Sequence, residues 1–276
     1  MSANSPPTMD AIEVLVLGVV QGLTEFLPIS STAHLRIVPH FLGWEDPGAA
    51  FSAVIQLGTL AAVFIYFAGD IKRLVGAALD SFKYRDLNHS ADSRMAWALI
   101  PGTLPIAVLG LSFKPWIEAE ARSLYIIAAA LIVLALCLML AERMGRRSRS
   151  MRELSFWQIQ FIGLCQALAL IPGCSRSGST IMGGLFIGLK REEAARFSFI
   201  LGLPAIGASG ALEFLDLLEG GLGGEGLVYL GLGIVTAALS GYLAIGLLLR
   251  FLRRYGTDLF SIYRILLGAL IFYTHS

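Results

Sequence analysis

The chain has 276 residues, of which 56% are hydrophobic and 15% are charged. Ordinary soluble domains carry about 25% charged residues, so the composition excludes a chain of that class. The formal net charge is +1, which gives no argument for an acidic partner, and we expect no nucleic acid to bind.

Taken in chain order, the apolar segments predict an all-α polytopic membrane protein, because several run for about 17–23 residues with few charges, enough to cross a bilayer. Six of them read as full transmembrane helices: 48–68, 95–113, 122–142, 196–215, 226–249 and 258–273. Two others, 11–40 and 155–189, are broken by proline and polar residues and end in short apolar runs. A run of about ten helical residues spans about 15 Å. We therefore expect two re-entrant helix–loop–helix hairpins, with each loop surrounded by protein or by a wet cavity.

Basic residues separate the loops of this topology into two sides. Sixteen of the 21 Lys and Arg residues lie in the loops 69–94, 143–155, 190–196 and 250–257. On the opposite side, loop 114–122 holds two, and the acidic, glycine-rich segment 216–226, predicted to be a flexible loop, holds none. By the positive-inside rule the basic side is cytoplasmic. Both termini then lie outside, hairpin 11–40 enters from outside, and hairpin 155–189 enters from the cytoplasm.

A weak internal repeat agrees with this topology. Its matched residues are Gly18 with Gly163, Gln21 with Gln166, Pro28 with Pro172, Ser31 with Ser175, and Phe51-Ser52 with Phe197-Ser198. Three predicted spans separate the hairpins, an odd number, so the repeats must have inverted topology. The chain therefore reads as one integral membrane domain, 1–276, with repeats at about 11–113 and 155–249. Inverted repeats with broken helices hold binding sites near the membrane midplane.

The polar sequence in the second hairpin, Pro172 to Thr180, predicts an anion site. Ser175, Arg176 and Ser177 combine hydroxyls and a guanidinium with the free N–H groups at the start of a helix, which together favour phosphate. An arginine in a membrane interior costs roughly 2.5–3.5 kcal/mol or more. A purely structural ion pair is the alternative explanation.

The polar sequence in the first hairpin, Glu25 to His34, supplies groups for a reaction. Gln21 precedes Glu25 by four residues, and His34 follows Ser31 by three, so the members of each pair share a helix face. A hydroxyl beside an imidazole is a candidate nucleophile and base. Simple helix capping by Ser30, Ser31 and Thr32, with a structural histidine, is the alternative.

Both polar sequences closely resemble the signatures of bacterial undecaprenyl pyrophosphate phosphatases, the BacA/UppP bacitracin-resistance family. The similarity runs from about residue 9 to 273 and includes Phe51 and Gln56-Leu57-Gly58. Gln21 stands at the first acidic position of the family motif, which leaves Glu25 as its only carboxylate. The resemblance implies hydrolysis of undecaprenyl diphosphate to the monophosphate and phosphate, which recycles the lipid carrier of cell-wall synthesis. It also implies a bacterial inner-membrane site open to the periplasm and a divalent cation, Mg²⁺ or Ca²⁺.

On this basis Arg176 and Ser175 are expected to hold the diphosphate, while Ser31, or Ser30 in competition, attacks the terminal phosphorus. His34 is expected to act as base and then acid, and Glu25 to bind the metal or position water. Groups expected to orient the substrate are Gln21, Thr32, Ser177 and Thr180. Direct attack by His34 or by water stays open.

Two other functions are compatible with parts of the sequence. A transporter or flippase of a polyprenyl phosphate needs the same anion site without a nucleophile. A phosphatidic-acid-type phosphatase needs a catalytic histidine downstream of its arginine, and the only histidine after Arg176 is His275, which argues against it. The expected partners are a polyprenyl diphosphate and membrane lipids, and a homodimer is compatible with the sequence.

Overall fold

The computed structural model describes residues 9–219 and 224–275, and these residues form a helical protein. Its α-helices are α1 Ala11–Phe26, α2 Ser31–Leu42, α3 Gly48–Tyr66, α4 Ala68–Tyr84, α5 Ala91–Ser112, α6 Lys114–Glu118, α7 Leu124–Met144, α8 Phe156–Ala167, α9 Arg176–Phe186, α10 Arg191–Glu219, α11 Gly224–Leu252 and α12 Asp258–His275. Short 3₁₀ turns lie at Glu120–Arg122, Met151–Glu153 and Leu168–Leu170.

Five helices, α3, α5, α7, α10 and α11, are long and apolar enough to cross a membrane. They coincide with five of the six predicted spans, and the chain is therefore an all-helical, multi-pass membrane protein. The sixth predicted span, 258–273, is the 18-residue helix α12, which does not meet the same test of length and hydropathy. The full arrangement of six spans stays a prediction.

The predicted outer loop 216–226 is largely wrong. Helix α10 continues through Asp216 to Glu219, and α11 begins at Gly224, while residues 220–223 lie outside the described residues. Asp216, one of the acidic residues that suggested a solvated loop, lies on α10 and pairs there with Lys114, which also pairs with Glu213 of the same helix.

The two regions predicted as hairpins are helix–loop–helix units of short helices. Helices α1 and α2 have 16 and 12 residues, and α8 and α9 have 12 and 11. At 1.5 Å per residue these helices are about 16–24 Å long, shorter than a bilayer core of about 30 Å. The Asp10 side chain fixes the start of α1, where it accepts the backbone N–H groups of Ile12 and Glu13. Loops 27–30 and 171–175 follow the first helix of each unit.

Each hairpin packs against the opposite repeat. Helix α1 lies along α11, α8 lies along α5, and α3 packs on α10. Glycine permits close crossings of both helix pairs: a Cβ at Gly22 would collide with Ser240 on α11, and one at Gly163 would collide with the carbonyl of Gly102 on α5. Close approach at small residues is how membrane helices gain packing energy. This reciprocal packing brings the two polar loops together inside the protein.

Candidate active site

The serine that precedes the second helix has a similar backbone conformation in both polar loops. Ser30 precedes α2 with φ 75° and ψ 97°, and Ser175 precedes α9 with φ 66° and ψ 118°. In each case the serine Oγ accepts the backbone N–H three residues later, from Ala33 at 3.4 Å and from Gly178 at 3.0 Å. The backbone therefore pairs Ser30 with Ser175, and Ser31 with Arg176. The sequence repeat, aligned on its prolines, paired Ser31 with Ser175, one residue away.

Glu25 is the common partner of the polar groups from both loops. Its carboxylate accepts the Ser31 hydroxyl at 2.5 Å and the Gln21 amide at 2.9 Å, and it forms an ion pair with Arg176. The Glu25 side chain is 4% exposed and that of Arg176 is 16% exposed. At such burial each charge needs the other, so the pair joins the two repeats electrostatically.

Arg176 and Thr180 are linked to α10. The Arg176 guanidinium also donates to the carbonyl of Gly202 at 3.2 Å. Thr180 donates to the Arg176 carbonyl at 2.8 Å and lies 2.5 Å from the Ser198 hydroxyl. Thr180 therefore supports the first turn of α9 and does not reach the open space above Arg176.

Ser177 and Thr32 form hydrogen bonds with groups of the two loops and not with Glu25. Ser177 donates to the carbonyl of Leu27 at 3.1 Å, across the interface between the two loops. Its hydroxyl also lies 3.1 Å from that of Ser175. In the first loop the hydroxyls of Ser30 and Thr32 are 3.1 Å apart.

The hydrogen-bond partners of His34 do not include Ser31. Its Nδ1 lies 2.7 Å from the Ser30 carbonyl, and its Nε2 lies 2.7 Å from the Tyr263 hydroxyl. A carbonyl only accepts, so Nδ1 donates to it and Nε2 accepts from Tyr263. Both ring nitrogens of His34 are thus engaged by Ser30 and Tyr263. The Ser31 hydroxyl pairs with Glu25 and not with the imidazole.

A cavity of about 380 Å³ opens above the Glu25–Arg176 pair. Glu25, Ser31, Thr32, Ser175 and Arg176 line it. Its walls are mainly apolar and come from α3, α5 and α10, with Ala53, Ile106, Ala107, Leu111, Ala208 and Leu212 among the lining residues. Of the predicted site residues, Ser30, His34, Gln21, Ser177 and Thr180 do not line the cavity. Polar groups at the floor and apolar walls suit a ligand with a charged head and a hydrocarbon tail.

Further polar residues of the cavity were missed by the sequence interpretation. Ser52 and Gln56 of α3, and Ser209 of α10, line it, as do Lys114 and Arg122 from the segment between α5 and α7. The repeat held a signal for one of them, since Ser52 matches Ser198, the partner of Thr180. Ser209, Lys114 and Arg122 belong to no motif, and only the three-dimensional packing brings them to the cavity.

The donor set of the cavity suits a hard divalent cation that arrives with a phosphate ligand. Glu25 and the hydroxyls of Ser31 and Thr32 offer oxygen only, and Mg²⁺ is commonly held by one or two carboxylates together with substrate phosphates. Within residues 9–219 and 224–275 no three His, Cys, Asp or Glu side chains are grouped to form a complete metal cage. A cation here would therefore depend on the ligand for part of its coordination.

The chain is similar to one family of known proteins over nearly its whole length. Residues 14–270 match the model of the family described as bacitracin resistance protein BacA. A relative from Chloroherpeton thalassium, named undecaprenyl-diphosphatase, is 52% identical over 271 residues, covering 95% of this chain and 96% of that protein. Relatives of the same name from Myxococcus xanthus and Chlorobium phaeobacteroides are 51% and 49% identical. They cover 95% and 94% of this chain, and 88% and 95% of their own lengths.

Proposed function

Because this chain belongs to the bacitracin resistance protein BacA family, we propose that it hydrolyses undecaprenyl diphosphate to undecaprenyl phosphate and inorganic phosphate. The observation that carries this conclusion is the arrangement of Ser31, Glu25 and Arg176 at the floor of an apolar-walled cavity. The reaction recycles the lipid carrier of cell-wall synthesis.

Arg176 receives the diphosphate. In the free protein its guanidinium is neutralised by Glu25, and an incoming phosphate oxygen competes for the same donors. Arginine recognises phosphate through two parallel N–H groups, and Ser175 at the start of α9 adds a hydroxyl and a helix N-terminus. As the substrate takes over Arg176, the Glu25 carboxylate becomes available to accept a proton.

Ser31 is the nucleophile in this proposal. Its hydroxyl already donates to Glu25 at 2.5 Å, so Glu25 takes the proton as the Ser31 Oγ forms a bond to the terminal phosphorus. The bond between that phosphorus and the bridging oxygen breaks, and undecaprenyl phosphate leaves with the proton that Glu25 passes to its oxygen. The ionised Glu25 then takes a proton from a water whose oxygen attacks the phosphoserine. The bond from phosphorus to the Ser31 Oγ breaks, inorganic phosphate leaves, and Glu25 returns the proton to the Ser31 Oγ. Arg176 stabilises the charge that develops on the phosphoryl oxygens.

A divalent cation, Mg²⁺ or Ca²⁺, forms part of the proposal, with Glu25 as the protein ligand. When bound, it would neutralise phosphate charge that Arg176 alone cannot balance. Thr32 and Ser52 line the same space and could contribute hydroxyl oxygens.

The proposed topology has six spans, two re-entrant hairpins in inverted repeats, and the cavity open to the periplasmic side of the inner membrane. The reciprocal packing of α1 on α11 and of α8 on α5 supports the repeats. Lys114 and Arg122 line the cavity and belong to the loop that the positive-inside rule assigns to the outside. Both termini are outside in this topology. Homodimerisation stays a prediction, which the mass of the detergent-solubilised protein tests.

Phosphate release from polyprenyl diphosphates of different length, with and without chelator, tests the function. In detergent, a transporter or flippase of polyprenyl phosphate would release no phosphate, so the measurement separates the two functions. We expect Arg176→Ala to lower the rate on the order of 10³-fold, as loss of a main charge-stabilising group does. Arg36→Ala is the matched control, because Arg36 pairs with Asp46 and not with Glu25. Unchanged turnover in Arg176→Ala would reject the site.

A further inference from the structure

Arg264 of α12 contacts both polar loops from the side away from the cavity. Its side chain is fully buried. Nη1 donates to the carbonyl of Pro28 at 3.0 Å, and Nη2 donates to that of Gly173 at 2.8 Å. Both terminal nitrogens also lie 3.3 Å from the carbonyl of Cys174, and Nε donates to Leu131 of α7 at 3.2 Å. One guanidinium therefore bridges the first loop, the second loop and a membrane helix.

The hydrogen-bond partners of Arg264 are carbonyl oxygens rather than carboxylates. Burying a cation without a counter-ion is costly, and carbonyls at helix ends offer only partial negative charge. The Arg264 guanidinium instead fixes the positions of several carbonyls relative to one another, because its five N–H donors lie in one plane. A lysine ammonium, as a point charge on a flexible stem, cannot do this.

Tyr263, the neighbour of Arg264, secures the first loop at a second point. Its hydroxyl donates to His34 Nε2 at 2.7 Å, and His34 Nδ1 donates to the carbonyl of Ser30 at 2.7 Å. The two rings are also stacked, with their centroids 5.7 Å apart. Adjacent residues of α12 thus fix two carbonyls of the first loop. Arg264 donates directly to the carbonyl of Pro28, and Tyr263 acts through His34 on the carbonyl of Ser30, the residue before Ser31.

We propose that Arg264 and Tyr263 are positioning residues that set the spacing of the two loops, and with it the distance from Ser31 Oγ to a phosphoryl group held by Arg176. Neither residue lines the cavity, so they act through the loops. The inference rests on the proposed function for its catalytic consequence. The hydrogen bonds that carry it are independent of the reaction.

Glu142 offers a matched control, because it is also a buried charged group with several partners. Its side chain is 4% exposed and accepts from Arg147 at 2.8 Å, Arg191 at 2.7 Å and the Thr257 hydroxyl at 2.9 Å. It lies on α7 about 16 Å along the helix from the carbonyl that Arg264 contacts. Glu142→Gln is expected to lower thermal stability while turnover per folded molecule is retained.

The first measurement compares kcat and KM of Arg264→Lys, Tyr263→Phe and Glu142→Gln. We expect Arg264→Lys to lower kcat by about 10- to 100-fold with little change in KM, because small misplacement of reacting groups slows attack more than binding. Tyr263→Phe should lower kcat by roughly three- to tenfold, as loss of one positioning hydrogen bond does. A kcat for Arg264→Lys equal to that of Glu142→Gln would overturn the proposal.

The second measurement needs no turnover. Cys174, whose carbonyl contacts Arg264, is buried, so its reaction with a maleimide reports loosening of the second loop. In a Cys137→Ala, Cys165→Ala background, Arg264→Lys should speed labelling by about tenfold or more, since opening of a buried group controls such reactions, and Glu142→Gln should not. Labelling at the parent rate would overturn the inference. Absence of phosphate release from the wild type would instead reject the proposed function. The labelling rate of Cys174 would still decide whether Arg264 holds the two loops in place.

Discussion

The loop between α1 and α2 and the loop between α8 and α9 end in the same serine cap but carry side chains of opposite chemistry. Each begins its second helix with a serine at positive φ, Ser30 in one and Ser175 in the other. The next residue is Ser31 in the first loop and Arg176 in the second, and both contact Glu25. Equivalent positions therefore hold the proposed nucleophile and the proposed phosphate-binding cation.

The segments that precede the loops also differ in charge at matching positions. Gln21 and Gln166 occupy matching positions, and both are fully buried. Four residues later the first helix carries Glu25, whereas the second region carries Leu170. The two repeats therefore resemble each other in helix arrangement but differ in charge, because the carboxylate of Glu25 belongs to the first and the guanidinium of Arg176 belongs to the second. The buried anion of one half and the buried cation of the other form the ion pair that joins the two halves.

The largest expected effect separates two neighbouring serines of the first loop. Ser31 lines the cavity and donates to Glu25, while Ser30 is a buried cap. We expect Ser31→Ala to lower phosphate release by at least about 10³-fold, as removal of a nucleophile does. Ser30→Ala should keep more than a tenth of the activity per folded molecule. A Ser31→Ala variant with more than a tenth of the wild-type rate would exclude the serine mechanism.

A smaller loss is expected when Glu25 is replaced. Glu25→Gln keeps the side-chain volume but can neither accept the Ser31 proton nor neutralise Arg176. We expect kcat to fall on the order of 10²-fold, within the range for loss of a general base. Glu25→Asp keeps the charge and serves as the control, so it should retain more activity than Glu25→Gln at saturating substrate. The reverse order would show that side-chain length, rather than charge, matters at this position.

The third effect compares the matching glutamines. Gln21 donates to Glu25 at 2.9 Å, so Gln21→Met should reduce kcat by roughly tenfold through loss of a hydrogen bond to a charged group. Neither side-chain polar atom of Gln166 has a hydrogen-bond partner within the described residues. Gln166→Met should leave kcat within about twofold and should not lower the melting temperature, because it removes unpaired buried polar groups. A fall in kcat at both positions would mean that the two halves contribute alike.

Much of the fold and part of the site could be predicted from the sequence. Length and hydropathy determine the spans because a bilayer imposes a fixed thickness, and prolines next to polar residues revealed the broken hairpins. The proximity of Glu25 and Arg176 was also predictable, since two costly charges in a membrane interior need each other. Spacing along the chain correctly gave Gln21 and Glu25 on one face of α1.

The partner of His34 could not be predicted in this way. The three-residue spacing from Ser31 to His34 suggested a catalytic pair, but the ring turns toward Tyr263, 229 positions further along the chain. Arg264 lies within the predicted span 258–273, but spacing along the chain gave it no role, since its partners are backbone carbonyls and leave no side-chain pattern in the sequence. Such contacts depend on how α12 packs, which local spacing does not determine.

The smallest expected effect tests whether the two loops share backbone strain. Ser30 and Ser175 have positive φ, whereas Ser155, the N-cap of α8, has φ −76°. Replacement of an N-cap serine by alanine costs about 0.5–2 kcal/mol, and by glycine only a few tenths. At positive φ glycine also relieves strain of about 1 kcal/mol.

The difference in melting temperature between the Gly and Ala variants should therefore be larger at Ser30 and at Ser175 than at Ser155. Thermal unfolding in detergent measures all six variants under one condition. If Ser155 gave the same difference, the positive φ values would carry no strain. If only one of the two loops gave the larger difference, the loops would differ in backbone as well as in chemistry. Equal differences in melting temperature at Ser30 and Ser175, together with a loss of activity at Gln21 that Gln166 does not show, would assign stability to features that the loops share and catalysis to the side chains that differ.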